Sequence, residues 1–243
     1  MAEPTHIGRY RVEGPLGAGG VGMVFAAFDP VLGRRVAVKL LRSDRPEVAE
    51  AGQRLRDEAQ AMARLAHPNV ITVHEARAVD GRVFISMEFV EGGTLGQWLA
   101  TKAPPLPRVL AMFRHVGRGL AAAHAAGLVH RDVKPDNVLI GSDERPRVTD
   151  FGLARPADHE GDAGPGNMRT SQPSDASGRP LSGDLRLLDA TLTRAGALVG
   201  TPAYMAPEQL RREPATAASD QFGFCVALWE ALYGTRPFTG RNL

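Results

Sequence analysis

The chain has 243 residues and one cysteine, Cys225, so no disulfide can form within it. A reducing compartment suits that count, and a cytoplasmic location is the expectation. Strong charge of either sign is also missing: 29 Lys and Arg stand against 27 Asp and Glu, a net charge of +2. That removes the electrostatic case for nucleic acid or an anionic membrane surface as a partner. Long apolar runs are absent too. The opening "MAEPTHIGRYRVEG" has no apolar core for a secretory signal, and no stretch reaches the length of a membrane span. Internal repeats are not found. What is present is ordinary for a globular protein, with 43% hydrophobic and 23% charged residues. The length suits one large domain or two small lobes. Heavy use of Ala, Arg, Gly and Pro hints at a bacterial source.

The first third reads as strands. "YRVEGPLG", "VGMVFAAFD" and "RRVAVKLL" are short, β-rich and separated by glycine-containing turns. A helix is predicted over 50–66, where Leu55, Ala59, Met62 and Leu65 recur at helical spacing until Pro68 stops it. "VITVHEARAV" and "RVFISMEFV" flank "DG", a hairpin signal. After "EGG" at 91–93 the character turns helical, in "TLGQWLAT" and "LPRVLAMFRHVGRGLAAAHAAG". These glycines are the predicted hinge between a lobe over 1–91 and a second over 92–243. Residues 156–184 are rich in Gly, Pro, Ser and Asp and poor in large apolar residues, so they read as a mobile loop.

Four motifs carry chemistry. "LGAGGVGMV" places Gly17, Gly19 and Gly22 in a G-x-G-x-x-G pattern before Val24. Glycines let backbone amides approach phosphate, since no Cβ intervenes. A dinucleotide-binding motif would open a helix here, whereas "VFAAFD" continues as strand, which favours a strand–turn–strand flap. "VAVK" ends in Lys39, a strand cation that needs an acid to direct it, and Glu58 on the predicted helix offers one. "VHRDVKPDNVLI" holds Asp132, Lys134 and Asn137. The plain reading is a solvated turn with compensating charges. The chemical reading is a proton acceptor, a cation for a transferring phosphoryl group, and a neutral oxygen for a hard metal ion. "VTDFGLA" adds Asp150 as a second metal oxygen, with Gly152 allowing the backbone to bend.

In that order, with "MAPE" at 205–208 following, the set resembles the eukaryotic-like (Hanks-type) serine/threonine protein kinases of bacteria. The resemblance covers about residues 8–240. It implies an α+β, two-lobed kinase-like fold: a small antiparallel-sheet lobe with one helix, and a helical lobe. It implies transfer of the γ-phosphate of ATP to Ser or Thr of protein substrates, with Mg²⁺ as the cation and Mn²⁺ as an alternative. Lys39 would hold the α- and β-phosphates and pair with Glu58. Asp132 would accept the hydroxyl proton, Lys134 would neutralise the γ-phosphate, and Asn137 and Asp150 would bind the metal. Adenine would lie between Leu16, Val24 and Ala37 above and Leu139 below, edge-bonded by the backbone of Glu88 and Val90 behind Met87. Met62, Val73, His130 and Phe151 would stack in one apolar column. Asp220 would anchor the catalytic-loop backbone, or cap its own helix. Arg131 would pair with a phosphorylated loop threonine, Thr193 or Thr191, while Thr201 would bond Asp132 and Lys134.

The sequence departs from that family in two places. The 156–184 insert lengthens the activation segment. The chain also stops at "TRPFTGRNL", where the family continues with helices, one of which carries an arginine for Glu208. On that reading the helical lobe is truncated, Phe222, Trp229 and Leu232 lose cover, and a partner or a second copy would shield them. An ATP-binding but catalytically impaired regulator or scaffold is therefore the alternative. A small-molecule phosphotransferase of related fold fits "GTPAYMAPE" less well, because that segment builds a protein-substrate platform.

Overall fold

The computed structural model describes residues 4–19, 22–41, 61–79, 82–151 and 202–238. Six strands form one antiparallel sheet: β1 (His6–Ile7), β2 (Tyr10–Gly19), β3 (Gly22–Asp29), β4 (Arg34–Leu41), β5 (Val73–Val79) and β6 (Arg82–Glu88), in the order β1-β2-β3-β4-β6-β5. Alternation along β4 explains what this sheet positions. Val36 and Val38 point into an outer cluster with Tyr10, Phe25 and Phe84. Ala37 and Leu41 point the other way, into the cluster that holds Met62, Ile85 and Met87. With a side-chain period of two, Lys39 shares that inner face. β5 and β6 pair antiparallel from Val79 and Arg82 onward, as the hairpin signal "DG" predicts; the two residues between them lie outside the described residues.

Of the helix predicted over 50–66, residues 61–66 are described: 61–64 are helical and 65–66 are not; Glu58 lies outside the described residues. The segment after it does more than stop a helix. Ile71 N–H donates to the Val148 carbonyl and Val148 N–H to the Asn69 carbonyl, both at 2.9 Å. Asn69 Nδ2 also donates to the Pro146 carbonyl at 2.9 Å. Residues 69–71 are thus docked onto the second half of the chain.

The predicted hinge at 91–93 is partly strand. β7 (Gly92–Thr94) joins β8 (Val138–Gly141) and β9 (Pro146–Val148) in a three-stranded antiparallel sheet ordered β7-β8-β9. Helix α1 (Leu95–Lys102) follows, opened by a capping box: Thr94 Oγ1 accepts from Gln97 N–H, and Gln97 Oε1 accepts from Thr94 N–H. Helix α2 (Leu106–Ala125) buries Val109, Met112, Phe113, Val116, Leu120 and Ala123, the one-face spacing that "LPRVLAMFRHVGRGLAAAHA" predicts. Helix α3 (Ala217–Tyr233) begins at Thr216, whose Oγ1 accepts from Ala218 N–H. Phe224 of α3 meets Phe113 of α2 edge to face at 5.6 Å.

One end of α3 is apolar and open. Trp229 is 45% exposed, Leu232 38% and Tyr233 64%. Phe222 is half-buried and stacks on the exposed Phe238 at 5.8 Å. No helix among the described residues is long and apolar enough to cross a membrane.

Candidate active site

The loop between α2 and β8 sits where both halves of the chain meet. Asp220 organises it from α3. It is 1% exposed, and one carboxylate oxygen accepts the His130 N–H while the other accepts the Arg131 N–H, each at 2.7 Å. His124 Nε2 lies 2.7 Å from the same Oδ2. Asp220 is not the cap of its helix, since Thr216 fills that role. A short helical turn, Pro207–Leu210, brings Gln209, whose Nε2 donates to the Arg131 carbonyl at 2.8 Å. Arg131 has φ +68°, the left-handed region that non-glycine residues enter at a cost of about 1–2 kcal/mol. Gripped at both its N–H and its C=O, it has no route to relax.

His130 is wholly buried. Its Nε2 donates to the Thr149 carbonyl at 2.8 Å and its Nδ1 accepts the Asp132 N–H at 3.2 Å, which fixes a neutral ring with the proton on Nε2. Burial holds its pKa below the ordinary value of 6.5. The ring meets Phe151 at 4.7 Å between centroids. Met62, Val73 and Phe151 belong to the same buried cluster.

Asp132, Lys134 and Asn137 are within hydrogen-bonding distance of one another. Lys134 Nζ donates to Asp132 Oδ2 at 2.8 Å, and Asn137 Nδ2 donates to the same oxygen at 3.0 Å and to the Asp132 carbonyl at 2.7 Å. These bonds orient the amide, so its side-chain oxygen is the group that remains for a cation. Thr149 N–H donates to the Asn137 carbonyl at 2.9 Å, which joins this loop to the segment carrying Asp150. Asp150 also has positive φ, +59°. Its Oδ1 lies 2.9 Å from Lys39 Nζ, whose side chain is only 9% exposed. Among the described residues, then, the partner of Lys39 is Asp150; the predicted partner Glu58 lies outside them. Two oxygen donors on neighbouring segments suit a cation that takes its other ligands from phosphate and water. No group of three or more His, Cys, Asp or Glu among the described residues forms a protein-only metal cage.

At the other end of the site, Ala37 and Met87 are register partners, and Val24, Val90 and Leu139 pack against their cluster. Leu16 is 52% exposed. Glu88 N–H donates to the Thr72 carbonyl at 2.8 Å, so only its carbonyl is left to serve a ligand edge. The glycines divide in role. A Cβ on Gly22 would lie 2.2 Å from the Leu40 carbonyl oxygen, so close pairing of β3 with β4 requires glycine there. A Cβ on Gly17 would meet nothing within 4 Å. Gly19 ends β2, and the two residues after it lie outside the described residues. Thr191, Thr193, Thr201 and Gly152 also lie outside them. Sequence reasoning missed His124, Gln209 and Ser219. Ser219 Oγ donates to Glu208 Oε1 at 2.6 Å and holds that carboxyl below its ordinary range.

An antiparallel-sheet lobe over a helical lobe, with an acid, a lysine and an asparagine sharing one loop between them, is the protein kinase-like architecture. The Protein kinase domain family model matches residues 10–243. The chain is 38% identical over 242 residues to serine/threonine-protein kinase PknA of Mycobacterium tuberculosis, covering 97% of this chain and 49% of that protein. It is 33% identical over 242 residues to PknE of Mycobacterium bovis, covering 99% of this chain and 38% of that protein. The crystal structure of the Mycobacterium tuberculosis PknI kinase domain superposes with a TM-score of 0.69 at 28% identity, over 100% of this chain and 81% of that domain. The chain belongs to the protein kinase domain family and resembles its bacterial serine/threonine members. It spans about half or less of the length of these two curated relatives.

Proposed function

We propose that this chain transfers the γ-phosphate of Mg-ATP to serine or threonine hydroxyls of protein substrates. The observation that carries the reading is the shared contact of Lys134 and Asn137 on one oxygen of Asp132, Oδ2. That leaves Oδ1 to accept the substrate hydroxyl proton as its oxygen attacks the γ-phosphorus and the bond to the ADP oxygen breaks. Lys134 offsets the negative charge on the transferring group. Lys39 leaves Asp150 to hold the α- and β-phosphates, and Asp150 and the Asn137 amide oxygen hold the metal ion. Magnesium, when bound there, would supply positive charge that offsets the charge of the phosphates. Val24, Ala37 and Leu139 enclose adenine, with Leu16 at the rim and the Glu88 carbonyl and Val90 amide on its edge; Gly17 and Gly19 face the phosphates. Glu58 redirects Lys39 when nucleotide is bound. Autophosphorylation of Thr193 or Thr191, read by Arg131, is part of the same proposal.

The Lys39–Asp150 pair favours a second reading. It engages the phosphate cation and a metal oxygen with each other, as a nucleotide-dependent regulator without turnover would allow. One experiment separates the two. Purified protein is incubated with γ-labelled ATP, Mg²⁺ and a general protein substrate, beside Asp132→Asn. Label on Ser and Thr that falls by a factor of about 10² or more in the variant, as loss of a general base predicts, supports transfer. Thermal stabilisation by ATP with no label from the unmodified protein overturns it.

A further inference from the structure

Arg147 has a place in the fold that its surface-strand position does not announce. In β9 it is the register partner of Leu139 in β8. Its side chain is 13% exposed, and Nε lies 2.9 Å from Glu88 Oε1 at the end of β6. Nη1 and Nη2 donate to the two Asp143 oxygens at 3.0 and 2.9 Å, and Nη1 also reaches the Arg145 carbonyl at 3.1 Å. One planar cation therefore serves two carboxylates, one from each side of the chain connection that begins at Glu88. The Asp143 contact raises the Arg147 pKa, with Glu88 adding to it, and the Asp143 carboxyl is pulled down to about 2.

The packing around this node is tight. A Cβ on Gly141 would lie 2.7 Å from Asp143 Oδ1, 2.9 Å from Arg147 Nη1 and 3.5 Å from Val90 Cγ1. Gly141 pairs in turn with Gly92, where a Cβ would sit 1.8 Å from the Ile140 carbonyl oxygen. Small residues thus let the 88–92 connection lie directly on the Arg147–Asp143 pair. On the opposite side Arg35 stacks over Phe89 at 4.2 Å and reaches Glu91 at 3.3 Å, but its side chain is half-exposed and solvent screens it.

We propose that Arg147 is a positioning residue that fixes the spacing between the Glu88–Val90 backbone and Leu139, and so sets affinity for the adenine end of the nucleotide. The proposal rests on the nucleotide reading of the site. Arginine is needed because its fork bonds two carboxylates at once, which a lysine ammonium does not reproduce. The grip ties the Glu88 side chain, in the segment that would meet the purine edge, to the strand paired with Leu139, and involves neither Asp132 nor Asp150. It should therefore govern binding and leave the chemical step alone.

The test compares Arg147→Ala, Arg147→Lys, Glu88→Gln and the Arg147→Ala/Glu88→Gln double variant. Arg145→Ala serves as a control of equal charge: Arg145 lies 3.9 Å from Asp143. Adenosine and ATP binding are measured by calorimetry, and KM for ATP and kcat by phosphate transfer. Arg147→Ala is expected to weaken adenosine and ATP alike by about 3- to 20-fold, the scale of coupling within one charge network, with kcat within about twofold. Arg147→Lys should recover part of the loss, Glu88→Gln should reproduce part, and the double variant should be no worse than Arg147→Ala. Unchanged adenosine affinity in Arg147→Ala, a fall in kcat at constant KM, or an equal loss in Arg145→Ala overturns the proposal. Should Arg147→Ala fail to fold, Arg147→Lys and Glu88→Gln carry the same comparison. If the unmodified protein binds neither adenosine nor ATP, the nucleotide reading itself fails.

Discussion

Replacing Asp220 with alanine removes the acceptor for two backbone N–H groups and a histidine ring at once. A hydrogen bond to a charged acceptor contributes about 1.5–3 kcal/mol, and a buried donor left without a partner costs about 1–3 kcal/mol. The sums are not additive, and relief from burying a carboxylate offsets part of them. A net loss of about 3–5 kcal/mol follows, a large share of the roughly 5–15 kcal/mol that holds a domain folded. Asp220→Asn keeps one oxygen, enough for the His130 or the Arg131 N–H but not both, and should lose about half as much. Urea unfolding gives the two values. Hydrogen exchange at the His130 and Arg131 amides locates them, because Arg131 is free to leave its left-handed conformation once its N–H is released. A loss below about 1 kcal/mol in Asp220→Ala, with both amides as protected as before, would refute the reasoning.

Acidity should weaken the fold through buried His130 and, to a smaller degree because solvent screens it, half-buried His74. Burial holds His130 and His74 below their ordinary 6.5, so the folded protein binds fewer protons than the unfolded chain just below that pH. Stability is therefore full above about pH 6.5 and falls as pH drops toward the lowered folded values, by at most about 1.4 kcal/mol per pH unit for each histidine. Urea unfolding between pH 5.5 and 7.5 reads the slope, and His130→Gln should flatten it. Gly22→Ala should destabilise by about 1–3 kcal/mol, because its new methyl meets the Leu40 carbonyl. Gly17→Ala, facing open space, should cost less than about 1 kcal/mol in the same thermal or urea assay.

The larger elements were legible because their periodicity is long enough to repeat. β4 and α2 each alternate or recur through several turns, and both lie where the pattern puts them. The three-residue strands β7 and β9 are too short to show a period, so 91–93 read only as a hinge and its strand pairing went unseen. The docking of residues 69–71 rests mainly on backbone groups, which every residue type carries and no motif marks. Within the site, Asp132, Lys134 and Asn137 were legible because they lie within six residues of each other. Lys39 and Asp150 meet across 111 residues, and nothing local in either stretch announces the other. Asp220 was legible from the family resemblance. His124 and Gln209 hold the same loop but sit in an Ala-rich helix and a four-residue turn, with no pattern to single them out. Gly22 read as a phosphate residue, yet strand pairing alone already demands it.

Among the described residues, β9 touches two segments that tie the six-stranded sheet to the rest of the molecule. Pro146 and Val148 hold residues 69–71, and Arg147 holds Glu88. A strand gripping both tethers is a fulcrum, and rotation about a fulcrum moves near points little and far points much. Leu139 lies beside it, across one pair of strands. Val36 is paired with Glu88, and Lys39 stands three residues further along β4, about 10 Å away at the rise of an extended strand. Opening the cleft would therefore carry Lys39 away from Asp150 while altering the gap between Ala37 and Leu139 only about a third as much, since Ala37 stands one residue from Val36 and Lys39 three. One end of a bound molecule would stay seated while the other was released.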